Sequence, residues 1–276
     1  MNFSVLMSVY KNEKSEHFLQ AIDSVVNNSV KPNEIILIRD GVVGDELQSS
    51  IDLVIAKYGD LLSYYPFDEN HGLGEALKFG VEHSKNEIIA RMDTDDICLP
   101  DRFEKQIKVF KDDPDIDLVG GIIAEFINTP DKTISYRCLP QEDKEIKAYI
   151  KKRNPFNHMT VMFKKSAVLK AGNYEHFYLF EDWFLWIRMF LSGCKFKNLS
   201  DTLVYARISG MAERRGGYKY FKSFKNLLRY MKKNKIIGFF AYSKAIIIRF
   251  FGYVICPTKL REKLYKKYLR KVSNEQ

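Results

Sequence analysis

EIIARMDTDD, residues 87–96, decides how the chain is read. A short apolar run ends abruptly at three carboxylates, Asp93, Asp95 and Asp96, within four residues. Like charges that close repel, so the stretch asks for a positive partner. An apolar run of this length reads as a buried strand. If the chain stays extended beyond it, Asp93 and Asp95 project to the same side. Two such oxygens suit a hard divalent cation, Mg²⁺ or Mn²⁺, usually shared with substrate phosphates. The same spacing also fits a solvated turn with helix-capping acids.

The pattern before this stretch repeats. FSVLMSV (3–9) and NEIILIRDG (33–41) read as buried strands, and KSEHFLQAIDSVVNNS (14–29) between them carries apolar residues at helical spacing. ELQSSIDLVIAKYG (46–59) is a second helix, LSYYPF (62–67) a third strand and HGLGEALKFGVEHS (71–84) a third helix. Strand–helix–strand units with short connections build a parallel sheet. Asp93, Asp40 and Tyr10 then stand at the C-terminal ends of three strands. Ligands of open α/β sheets bind beyond those ends.

After a helix over LPDRFEKQIKVFKDDP (99–114), the rhythm changes. DLVGGIIAEF (117–126), TISYRC (133–138) and HMTVMF (158–163) read as short strands without regular helices between them. EDWFLWIRMFLSG (181–193) is a helix apolar nearly all round, hence buried. KFKNLSDTLVYARI (195–208) reads as a hairpin or two short strands. The expected fold class is α/β, a mostly parallel central sheet flanked by helices, with one domain over 1–210 and a basic helical extension over 211–276.

With 276 residues, 46% hydrophobic and 14% aromatic, the chain can form a real core. Its net charge of +9 is uneven: residues 211–276 hold eighteen Lys and Arg against three acids, +15, which leaves −6 for the rest. Such a tail implies an anionic partner. Cys98, Cys138, Cys194 and Cys256 show no metal or disulfide spacing, so reduced thiols in a cytosolic protein are expected. MNFSVLMSVYKNE lacks the basic start and cleavage site of a signal peptide.

The blocks SVLMSVYKNE, IILIRDG, ENHGLGEALKFGVEHSKNEIIARMDTDDICLPDRFEKQI and YLFEDWFLWIRM, in that order, resemble those of family 2 glycosyltransferases, which have the GT-A fold. The match runs from Phe3 to about Arg207. GMAERRGGYKYFKS (210–223) further resembles the O-antigen and exopolysaccharide branch, near the amylovoran-type transferases. The resemblance implies inverting transfer of a sugar from a UDP-sugar. It implies that Ser8, Val9 and Tyr10 line the nucleobase site and that Asp40 binds the base or ribose. Asp93, Thr94 and Asp95 would bind the nucleotide-sugar, Asp93 and Asp95 as metal ligands. Many relatives have two acids before the glycine of IILIRDG; here Arg39 replaces the first. Lys78 stands where relatives often carry Asn or Arg near the diphosphate, though a solvated helix position explains it as well.

Glu181 and Asp182 open the apolar helix. A helix N-terminus stabilises a carboxylate, typically by about 0.3–1 kcal/mol, and acids there also serve as plain caps. In the resembling families the Asp of this pair is generally the catalytic base; Glu181 would orient the acceptor or be the base instead. His158 is a candidate sugar contact or a packing residue. Arg214 and Arg215 beside Gly216 and Gly217 are candidates for gripping a pyrophosphate, or form a solvated loop.

IIGFFAYSKAIIIRFFGYVIC (236–256) has the length of a membrane span, but Lys244 and Arg249 interrupt it. Each charge costs about 2.5–3.5 kcal/mol mid-membrane. An interfacial amphipathic element fits better, with cations at headgroups and Phe and Ile in the acyl boundary. An ordinary helical extension packed on the body is the alternative. The expected partners are a UDP-sugar, a lipid-linked saccharide acceptor and the cytoplasmic membrane surface, with no nucleic acid. A nucleotidyltransferase should show a Gly-rich phosphate loop after its first strand, which SVYKNEKSE lacks. A basic nucleic-acid binder leaves Asp40, Asp93, Asp95 and Asp182 unexplained.

Overall fold

The computed structural model describes residues 1–208, 216–258, 260–261 and 270–272. Arg214 and Arg215 lie outside them. Four parallel strands form the first half of the sheet in the order β3 (Leu62–Pro66), β2 (Glu34–Arg39), β1 (Phe3–Val9), β4 (Ile88–Arg91). The helices α1 (Ser15–Val26), α2 (Asp45–Tyr58) and α3 (Leu73–His83) connect them.

Strand alternation distributes these side chains between two cores. Val5, Met7, Ile35, Leu37, Ile88 and Ala90 face α1 and α2. Leu6, Ile36, Ile38 and Ile89 face α3 and the later helix α7 (Glu181–Leu191). Helix α3 lies so close to β1 that a Cβ on Gly80 would sit 2.1 Å from Leu6 Cδ1. That approach needs a residue without a side chain.

Beyond β4 the sheet turns mixed. After β5 (Ile97–Cys98) and α4 (Arg102–Asp112) come β6 (Leu118–Phe126), β7 (Ser135–Arg137), α5 (Asp143–Tyr149), a 3₁₀ turn (His158–Thr160), β8 (Met162–Lys164) and α6 (Lys165–Lys170). β8 runs antiparallel between β4 and β6, and β7 runs antiparallel to β6. The unbroken parallel order read from the sequence belongs to the first half; in the second half antiparallel β7 and β8 join a further parallel pair, β6 and β9 (Phe196–Arg207). Residues expected as a hairpin or two short strands form instead this one 12-residue strand. It runs parallel to β6, with register irregularities around Gly120, Ile122 and Ile123. Those irregularities absorb the break that read as a turn.

The tail is not one appended unit. Helix α8 (Gly217–Lys233) buries Tyr220, Phe224, Leu227, Leu228 and Met231 in the same core as Phe180, Trp183 and Phe184 of the α7 region. The Phe180 and Tyr220 rings are 4.8 Å apart. Helix α9 (Phe239–Phe250) has no buried residue. At the far end, β10 (Lys271–Val272) pairs antiparallel with β7, and Arg270 makes an ion pair with buried Glu125. Within the basic helical extension expected over 211–276, the first described helix thus completes the core and the end adds a strand. Among the described residues, no helix is long and apolar enough to cross a membrane.

Candidate active site

The chain leaves β4 through Met92, whose N–H still bonds to the Leu6 carbonyl at 3.1 Å, and turns at residues 93–96. Asp93 and Asp95 are half-buried, while Thr94 and Asp96 are buried, so alternation survives into the turn. One carboxylate oxygen from each of Asp93, Asp95 and Asp96 lies within 4.8 Å of the others.

The positive partner is Arg91. Its guanidinium is 2% exposed and ion-pairs through Nη2 with Asp93 Oδ1. Residues i and i+2 share a strand face, which is how β4 delivers both. The other supports come from elsewhere. Thr94 Oγ1 donates to Glu13 Oε2 at 2.7 Å. The Arg207 N–H donates to Asp96 Oδ1 at 2.7 Å, and Arg207 Nε donates to the Asp95 carbonyl at 3.1 Å.

Even so, the carboxylates remain over-crowded. Burial, then repulsion from Asp93 and Glu13, pushes Asp95 up to about 7. Burial and the Asp95 charge raise Asp96 well above the usual carboxylate range. Asp96 Oδ2 is buried with no hydrogen-bond partner. Three convergent carboxylates, one of which also carries an orphaned buried oxygen, fit a hard divalent cation.

The first two strand ends bring Ser8, Tyr10 and Asp40 to the same edge. Tyr10 is 39% exposed and free to present its ring to a ligand. Val9 is corrected: its side chain is fully buried, because alternation turns it toward α1, so only its backbone can face a nucleotide. Thr94 is buried, and its hydroxyl proton is directed at Glu13 and the Ser8 carbonyl.

Asp40 has a structural task that the sequence did not reveal. Its carboxylate accepts from Asn70 Nδ2 at 2.9 Å, His71 N at 2.7 Å and Gly72 N at 3.0 Å. It thereby ties down the loop that starts α3. Gly41, at φ +87°, sits against that loop, and a Cβ there would lie 2.8 Å from Asn70 N. Lys78 lies on α3, 4.0 Å from Glu75. Among the described residues, no hydrogen bond or ion pair joins it to the carboxylate turn.

Glu181 and Asp182 occupy the first turn of α7. Asp182 accepts from Trp183 N at 2.6 Å and from Asn154 Nδ2 at 2.5 Å. Burial, then the neighbouring Asp182, pushes Glu181 up to about 7; Arg91 and Asp93 also act on it. The end of β4 and the start of α7 thus share one electrostatic environment. His158 meets Tyr174 Oη at 2.9 Å and sits edge-on to Trp186. Burial, then Arg91, holds it neutral, as befits a packing residue.

Glu13, Arg91, Asn154 and Arg207 escaped the sequence reading, and Asp96 stands in it as a third crowded acid but not as a ligand. Arg91 and Asp96 carried a local signal, a cation inside an apolar strand and a third adjacent acid. The other three reach the site only through the fold.

The arrangement has counterparts. Residues 4–175 match the family described as glycosyl transferase family 2. The amylovoran biosynthesis glycosyltransferase AmsE of Erwinia amylovora is 37% identical over 96% of this chain and 98% of its own. The UDP-Gal:α-D-GlcNAc-diphosphoundecaprenol β-1,3-galactosyltransferase of Escherichia coli is 35% identical over 98% of this chain and 97% of its own. Among solved structures, S. aureus TarS 1–349 in complex with UDP-GlcNAc has a TM-score of 0.69 at 14% identity, covering 97% of this chain and 78% of that one. A Pyrobaculum calidifontis mannosyltransferase in complex with GDP-Man and Mn²⁺ has a TM-score of 0.63 at 14% identity, covering 91% and 69%. At that identity the two structures establish the GT-A fold alone. With the family match spanning most of the chain and relatives aligned end to end, this chain belongs to glycosyltransferase family 2.

Proposed function

We propose that the chain is an inverting, metal-dependent glycosyltransferase. It moves a hexose or N-acetylhexosamine from a UDP-sugar to a saccharide carried on a polyprenyl diphosphate, in surface polysaccharide or O-antigen synthesis. One observation supports the reading above all: three carboxylates cluster at the end of β4, and one of them, Asp93, acts on Glu181 at the start of α7. The relatives that act in amylovoran synthesis and on a diphosphoundecaprenol-linked sugar support the substrate class.

Asp182 is the base. Two N–H donors, from Trp183 and Asn154, hold its carboxylate in place. It takes the proton of the acceptor hydroxyl, whose oxygen bonds to the anomeric carbon as the bond to the donor phosphate breaks. Attack opposite the leaving group inverts that carbon. General-base assistance is worth about 10²–10⁴-fold. Glu181, raised to about 7, is the runner-up for this role. Asp93, Asp95 and Asp96 would hold Mn²⁺ or Mg²⁺, which when bound neutralises the charge developing on the departing diphosphate. Tyr10, Ser8 and the Asp40 loop would receive the nucleoside.

The tail would hold the enzyme on the inner face of the cell membrane, and its surface supports that reading. Phe239, Phe240, Ile247, Ile248, Phe251 and Ile255 are each more than half exposed. Residues 217–261 contain eleven Lys and Arg and no Asp or Glu. An apolar face among cations suits an anionic bilayer.

The test is a panel of UDP-sugars with Mn²⁺ and synthetic GlcNAc- or GalNAc-diphospholipid acceptors. Asp95→Asn should abolish metal-dependent turnover. Asp182→Asn should stop transfer and spare UDP binding. Turnover indifferent to chelators, or full transfer by the Asp182 variant, would overturn the mechanism.

A further inference from the structure

We infer that Asn154 is the positioning residue of the reaction: its side-chain amide aims the carboxylate of Asp182. The inference rests on Asp182 being the base. Asn154 Nδ2 donates to Asp182 Oδ2 across 28 residues of sequence. The other oxygen, Oδ1, accepts from Trp183 N at 2.6 Å. With both oxygens held, the carboxylate keeps one orientation toward the acceptor hydroxyl.

The amide is itself fixed. Asn154 Oδ1 accepts from the Phe156 N–H at 3.2 Å, which leaves the NH₂ end for Asp182. Pro155 follows, and a residue before proline is confined to extended backbone. Arg137 on β7 then clamps the turn. Its Nη2 donates to the Asn154 carbonyl at 3.0 Å, and its Nη1 donates to the Phe156 carbonyl at 3.1 Å and to Asn157 Oδ1 at 2.7 Å. Asn157 Nδ2 donates in turn to the Gly121 carbonyl at 2.8 Å. The base is thus referenced to the sheet through β6 and β7, and not only to its own helix.

The test uses the full chain with the donor–acceptor pair that turns over fastest in the panel above. Asn154→Ala removes the donor. Asn154→Asp keeps the size and the acceptor for Phe156, but sets a carboxylate against Asp182. If Asn154 aims the base, kcat falls by about tenfold in Asn154→Ala and further in Asn154→Asp, a loss of the size expected for a hydrogen bond to a charged group. The donor KM and UDP affinity stay within about twofold of the parent. If Asn154 merely supports its turn, the near-isosteric Asn154→Asp is the milder variant, or KM moves together with kcat, and either result overturns the inference. An inactive Asp182→Asn beside Asn154 variants of parental kcat sinks this inference alone. A fully active Asp182→Asn, or no turnover with any pair, sinks the reading beneath it as well.

Discussion

Glu13 and Thr94, 81 residues apart in the chain, meet in a 2.7 Å hydrogen bond that pins the turn between Asp93 and Asp95. Glu13 follows β1 and Thr94 follows β4, which are paired parallel neighbours, so the bond crosses from one strand end to the next. Burial raises the Glu13 carboxyl, and its charge acts on Asp95.

Glu13 should therefore tune the cation site without being a ligand. Glu13→Gln retains a hydrogen-bond acceptor and removes a charge; Glu13→Ala removes both. The expected outcome is Mn²⁺ binding weakened by about tenfold, or ~1.4 kcal/mol, in Glu13→Gln and by more in Glu13→Ala. Mn²⁺ titration followed by electron paramagnetic resonance measures it, and equal affinities across all three proteins would refute it.

Asp40 should matter for stability as well as for donor binding. Asp40→Ala strands the N–H groups of His71 and Gly72, while the Asn70 amide keeps its 3.0 Å bond to the Asp40 carbonyl. An unmet donor costs about 1–3 kcal/mol when buried, and less where water reaches it. We expect Tm to fall by several degrees, at about 2–4 °C per kcal/mol, together with a loss of UDP affinity. Calorimetry with UDP titration checks both; an unchanged Tm would mean that the loop is held by other contacts.

Glu181 imposes a pH dependence with a definite sign. Its folded pKa of about 7 lies above the ordinary 4.5, because burial and Asp182 disfavour the charged form. Between those values the folded chain binds more protons than the unfolded chain, so this group's contribution to stability declines as pH rises through that window. The whole effect is at most about 3 kcal/mol. Glu181→Gln should therefore gain stability relative to the parent at pH 8 and little at pH 4. Denaturant unfolding at the two pH values measures the difference, and a parallel offset at both would rule out titration of Glu181 as its source.

Membrane binding should be tested by point substitution. Deleting residues 236–276 would remove buried Ile236 and Ile237 and the ion pair of Arg270 with Glu125. Phe240→Glu with Ile248→Glu alters only exposed positions. Cosedimentation with phosphatidylglycerol vesicles should drop by about tenfold or more in the double variant, and parental binding should weaken with added salt. Parental levels of cosedimentation in the double variant would move the anchor elsewhere.

Much of the architecture was legible because it is written in short-range periodicity. Val5 and Met7 against Leu6, and Ile35 and Leu37 against Ile36 and Ile38, sort by parity alone onto the two faces of the sheet. The same parity set Arg91 with Asp93 and turned Thr94 inward. The break near Asp201 misled for the opposite reason. A polar residue inside an apolar strand resembles a turn until a partner strand accommodates it, here β6 with its shifted register. Helix α8 misled through composition: its cations mark the exposed face, whereas Tyr220, Phe224 and Leu227 reach the core.

The sequence by itself determined the order of strands and helices as far as β4 and the delivery of Tyr10, Asp40 and Asp93 to the ends of their strands; it showed no sign of α5 between β7 and β8. It also placed Glu181 and Asp182 at the start of a buried helix. Those features follow from the preferences of neighbouring residues, which act within a few positions. Only the tertiary structure decided that Glu13 braces Thr94, that Asn154 grips Asp182, that Arg207 closes the acidic turn and that Asp40 is occupied with its own loop. Each of these contacts joins segments about 30 to 110 residues apart. No local preference encodes such a pairing; it becomes favourable only once the cores have already met the entropic cost of closing the chain between them.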